Sequence, residues 1–259
     1  MNTKNIPLLH SNRKTNHFHN DKNCSDKYSN ITNRISDVSN TQFSLNITTS
    51  NKGTSFLNTH ESSTSYISHT LSPQIIHHAL LCGKADILLV VIENLRMKSL
   101  PLSKIEDLLA ARNSDGVPGL SMALRGGHSD TIRVYEKLLK TSGLTRKKIS
   151  ELLLPNINNS TPGLFNALQE GYANAIRAYG DIVKYLNLPQ EIAIKMLNAN
   201  NSEGLSGLFF AAGKGNIEAM LAYFDIFKNI NINPIQITEK MEDNQKLFYT
   251  SIISKLRTF

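Results

Sequence analysis

Apolar positions recur at a fixed spacing of 44 residues over the last two-thirds of the chain. Ile76, Leu120, Leu164 and Leu208 are equivalent, and each is followed three residues on by Ala79, Ala123, Ala167 or Ala211. The next position holds Leu80, Leu124, Leu168 or Ala212, and then comes Gly83, Gly127, Gly171 or Gly215. A second apolar set comes after the glycine: Leu88, Ile132, Ile176 and Met220, then Val91, Tyr135, Tyr179 and Tyr223, then Leu95, Leu139, Val183 and Phe227. A three-and-four spacing places such residues on one face of a helix. A period kept over four copies without insertion or deletion marks an array of repeated units.

One unit predicts three helices. The first is short, and its recurring alanine lets a neighbouring helix come close. The glycine after it supplies the left-handed residue that ends it. Asp86, Asp130 and Glu218 fall in the first turn of a longer second helix, where negative charge suits the dipole, and Asn174 is the uncharged exception. A third helix is predicted from Ile105, Leu108 and Leu109, repeated as Ile149, Leu152 and Leu153 and more loosely as Ala193, Met196 and Leu197. Ser103 with Glu106 reads as a capping box before the first of these, and Pro189 as the opening residue of the last. No single unit closes a core, so the units must stack.

A short helix, a glycine turn, a longer helix and a loop with Asp115-Gly116 at its tip read as an ankyrin-like unit. The Pro118-Gly119-Leu120 start resembles the opening of that repeat, and His128 its turn histidine. Lys84, Tyr172 and Asn216 replace that histidine in the other copies, and the unit is longer than the usual repeat of about 33 residues. The expected fold is therefore all-α, a helical repeat solenoid of four units (71–114, 115–158, 159–202 and 203–246). A terminal cap helix, 247–259, is read from Leu247, Phe248, Tyr249, Ile252, Ile253 and Leu256.

Composition separates the first 70 residues from the rest. They hold 34 Ser, Thr and Asn, too polar a mixture to bury a core, and are expected to be a disordered tail. Within them Phe43, Leu45 and Ile47 alternate with polar residues, the pattern of a strand that could pair with a partner's sheet edge. The net charge of +7 is spread thinly, with Arg146-Lys147-Lys148 the one tight basic cluster, which argues against nucleic-acid binding. No apolar run is long enough to span a membrane. Cys24 and Cys82 are too few for a disulfide framework or a metal cluster. Adjacent histidines on a helix, His77 and His78, do not face a shared metal. No cofactor, metal or catalytic residue is expected.

Two stretches, 108–120 and 162–180, resemble the C-terminal ankyrin-like repeats of the Shigella enterotoxin 2 / OspD / EspL family of type III secreted effectors. The resemblance covers roughly 71–240. Larger members carry an N-terminal cysteine-protease domain, for which 70 polar residues leave no room. Cys24 has His17, His19 and Asp21 nearby in sequence, but a triad needs a rigid frame, so no catalytic residue is carried over. The resemblance implies secretion by a type III system from the bacterial cytoplasm into a host cell. It also implies a secretion chaperone as a partner of the tail, with Phe43, Leu45 and Ile47 as its candidate contacts.

The expected function is thus non-enzymatic: an effector that binds a host protein through the array. The alternative is a regulator inside the bacterium, an anti-activator of secretion-dependent transcription controlled through the chaperone. Positions that differ between units are the recognition candidates. These are Phe165 and Phe209 where Ser121 stands in the second unit, Arg125 and its equivalent Gln169, and Lys214. His128 and the tyrosines kept in register are expected to serve the turn and the packing.

Overall fold

The computed structural model describes residues 71–97, 99–154, 161–236, 247, 250–252 and 254. Residues 1–70, which include Phe43, Leu45 and Ile47 and the expected tail, residues 155–160 and most of the expected cap lie outside the described residues. Among the described residues the protein is all-helical, without a named strand. Its helices are α1 Pro73–Cys82, α2 Ala85–Met97, α3 Leu102–Leu109, α4 Gly119–Arg125, α5 Ser129–Thr141, α6 Arg146–Leu153, α7 Gly163–Glu170, α8 Ala173–Leu186, α9 Gln190–Leu197, α10 Gly207–Lys214 and α11 Ile217–Asn229. Each of the first three 44-residue periods thus supplies a short, a long and a short helix.

Packing obeys the period. The short helices contact one another in the order α1, α4, α7, α10, and the long ones in the order α2, α5, α8, α11. The repeated apolar faces meet in one continuous core, in which Ala79, Ala123, Ala167 and Ala211 are fully buried. Ile252, beyond the last long helix, packs against the same core. The turn glycines Gly83, Gly127, Gly171 and Gly215 all have φ between 69° and 81°, the left-handed conformation expected of them.

Helix starts differ from the expectation. Ser103 and Glu106 form no capping box: α3 begins at Leu102, and Pro101 stands as its N-cap without a side-chain bond. Pro189 is likewise the N-cap of α9 rather than its first residue. Pro118 and Pro162 do the same for α4 and α7. A proline cap accepts through its carbonyl alone. The Pro101 carbonyl takes the Ile105 amide at 3.2 Å, and that of Pro189 the Ala193 amide at 3.0 Å. The ring holds φ where the chain must enter the helix, so the entry is rigid without a polar cap. Glu106, released from capping, pairs instead with Lys148 of the next period at 2.5 Å.

Two loops are copies of each other 88 residues apart. Asn113 Oδ1 accepts from the amides of Asp115 and Val117 at 3.0 and 2.8 Å. Asn201 Oδ1 accepts from Glu203 and Leu205 at the same two distances. Gly116 and Gly204 close the turns at φ 74° and 76°. The sequence carries Ile157 and Ser160 at the corresponding positions of the intervening period, which lie outside the described residues.

Candidate partner-binding surface

The seams between periods explain most side chains picked out by sequence. Glycine opens α4, α7 and α10 because the preceding short helix lies against it. A methyl group on Gly163 would stand 2.2 Å from the Ser121 carbonyl oxygen, and one on Gly207 2.9 Å from the Phe165 backbone. The turn residue of each period then covers the glycine turn before it. His128 Nε2 lies 3.1 Å from the Leu81 carbonyl oxygen, and its ring fills the space beside Gly83. The Tyr172 ring lies beside Gly127. Asn216 donates to the carbonyls of Leu168 and Gln169 at 3.3 and 2.9 Å, over Gly171. Three different residue types thus do one job, which is to occupy the carbonyl end of the preceding short helix.

The third helices end on carbonyls that also need partners. Tyr179 and Tyr223 donate their hydroxyls to the Met196 and Leu197 carbonyls at 2.8 Å each, closing α9. One period earlier Arg112 closes α6, donating to Leu152 and Leu154 at 3.0 and 3.1 Å and to Gly116 at 2.8 Å. Arg112 is not among the residues that the sequence pattern singles out. A signal exists: an arginine where Asn156 and Asn200 stand in the later periods. Burial raises the Tyr135 and Tyr179 hydroxyls well above the ordinary tyrosine range, so both stay neutral.

The five recognition candidates separate in these surroundings. Phe165 is 5% exposed, with its ring edge-on to Phe210 at 5.4 Å, so it completes packing between short helices. Phe209, its equivalent, is 52% exposed. Arg125 is half-buried, donates to the Thr161 carbonyl at 3.2 Å, and keeps its Nε buried without an acceptor. Burial draws its guanidinium below the usual arginine range. Lys214 pairs with Glu170 at 3.0 Å across the last seam, and Gln169 donates to the same carboxylate. Ile217, in the same period as Phe209, is 59% exposed. Gly213 and Gly215 have nothing over them within 4 Å.

An open hollow of about 620 Å³ lies between the ends of α5 and α8 and the start of α6. It holds the ring of Tyr185, with Lys140 Nζ 5.1 Å and the Arg146 guanidinium 5.2 Å from its centroid. Among the described residues no group of His, Cys, Asp and Glu is arranged to hold a metal ion. No helix there is long and apolar enough to cross a membrane. The Nδ1 of buried His78 lies 3.6 Å from the Cys82 sulfur. Comparison with protein-family models, with curated proteins and with solved structures finds no match.

Proposed function

We propose that the protein is a type III secreted effector without catalytic activity, and that it binds a host protein through an ankyrin-like array. In this reading residues 1–70 are the secretion and chaperone-binding tail, and 71–246 form the repeats. The observation that carries the binding half is the pair Phe165 and Phe209. The same residue type at the same repeat position is buried inside the array and open at its end. An aromatic left on the surface, in the same period as exposed Ile217, is the kind of anchor that protein interfaces use. The tail half rests on composition and on the family resemblance.

Two measurements test it. Affinity capture with the full chain from host and bacterial extracts is compared with Phe209→Ser at matched melting temperature. Loss of a host-extract partner on substitution supports the reading. Capture from the bacterial extract alone points to the regulator instead. Separately, residues 1–70 are fused to a reporter in secretion-competent bacteria, and a reporter that stays inside removes the effector assignment.

A further inference from the structure

The basic cluster Arg146-Lys147-Lys148 is divided by the fold. Lys148 turns to Glu106 and Glu151, Lys147 is exposed, and Arg146 enters the hollow beside Tyr185. That hollow is lined by three cations, Lys140, Arg146 and Lys184, and by two carboxylates, Glu136 and Asp181. Both carboxylates are engaged: Glu136 holds Lys140 at 2.6 Å, and Asp181 faces Arg133 at 3.7 Å. Arg146 and Lys184 are left with no acidic partner among the described residues, and the lining carries a net charge of +1, three cations against two carboxylates. Arg146 is also the first residue of α6, where the helix dipole adds to the positive field. A wide mouth encloses too little surface to retain a small molecule. It does admit two adjacent side chains of a peptide, whose methylenes can rest on the Tyr185 ring.

We propose that this hollow receives an acidic segment of a protein partner, with carboxylates on Arg146 and Lys184. The proposal rests on the protein-binding reading above and names the chemistry of the partner.

The test uses the full chain and a fluorescein-labelled acidic peptide of about eight alternating Glu and Asp residues, monitored by anisotropy. Saturable binding is expected, weakened about tenfold or more in the double variant Arg146→Gln, Lys184→Gln and less than about twofold in Lys147→Gln. Melting temperatures are measured for each, and a double variant that melts early is replaced by Lys184→Gln alone, for which a loss of about threefold or more is expected. Equal weakening by Lys147→Gln overturns the proposal, because it shows net charge at work rather than the hollow. So does competition by inorganic phosphate at concentrations that match the peptide, which would make this an anion site of another kind. Phe209→Ser separates the two readings. Peptide binding is expected to survive that substitution, so the peptide can fail while partner capture through the array stands, and the reverse.

Discussion

Phe165 and Phe209 sit 44 residues apart at one repeat position, and only the first is buried. The difference lies in the neighbour that each one has. Gly207 and Phe210 of the fourth period lie over Phe165, whereas Phe209 keeps half of its surface open. Gly171 and Gly215, also 44 residues apart, make the same contrast, one with the Asn216 side chain 3.0 Å from where its Cβ would be and one with open space. Residue type at a repeat position therefore says little about burial; the neighbouring period decides it.

The sharpest way to break this comparison is at the glycines. Gly163→Ala forces a methyl group into the Ser121 backbone, which cannot swing aside as a side-chain tip can. A loss of about 3 kcal/mol is expected, read as a lower urea midpoint. Gly213→Ala, inside α10 with nothing near it, should gain about 0.5–1 kcal/mol by helix propensity alone. If both substitutions cost the same, close approach is not what glycine provides at the seam.

The aromatics come next. Phe165→Ala empties a buried site and should cost about 3–5 kcal/mol. Phe209→Ala should stay within about 0.5 kcal/mol, as exposed substitutions do. A large loss at Phe209 would mean that it is packed in solution, and the binding surface proposed for it would then be lost as well.

Legibility in the sequence divides along the same line. Contacts within a period are legible. The glycine turns and the third helix of Ile105, Leu108 and Leu109 come from helical spacing, while His128 is singled out only by its likeness to the ankyrin turn histidine and its acceptor, the Leu81 carbonyl, lies in the preceding period. Contacts between periods are not. The glycine of Pro162-Gly163-Leu164 reads as a family opening, because nothing local shows a carbonyl 42 residues earlier pressed against it. Arg112 reads as a polar loop residue, since its acceptors Leu152 and Leu154 lie a full period away. The capping box of Ser103 and Glu106 fails for a local reason: proline at 101 has already set the entry. Of the recognition candidates, variation between copies finds the exposed Phe209, and equally finds Phe165, Arg125 and Lys214, whose variation serves the seams.

The first period offers an end of a different kind. At the position of Phe165 and Phe209 it carries His77, followed by buried His78. Burial lowers both imidazole pKa values, and for His78 the neighbouring His77 and Lys84 lower it further. The unfolded chain takes up these protons near pH 6.5, while the folded protein resists until lower pH. Stability from the neutral rings is thus complete above about pH 6.5 and is lost as pH falls through the depressed folded values. The melting temperature should drop between pH 7.5 and 5.5, and the drop should shrink in His77→Asn, His78→Asn. An unchanged slope in that variant would place the titration elsewhere.

The smallest expected effect concerns charge at the last seam. Lys214–Glu170 at 3.0 Å and Arg177–Glu218 at 2.8 Å both join the third period to the fourth, and all four side chains are more than 40% exposed. Such pairs are screened by water and salt and contribute about 0.2–1 kcal/mol each. Removing Lys214 by Lys214→Ala should therefore lower the midpoint far less than Phe165→Ala. That small loss should also shrink in about 1 M salt, where the screening length is about 3 Å. The comparison then has a clean inversion. If Lys214→Ala costs as much as Phe165→Ala and salt loosens the fourth period, the seam is held by charge. Buried glycine and phenylalanine contacts would then be a consequence of docking rather than its cause.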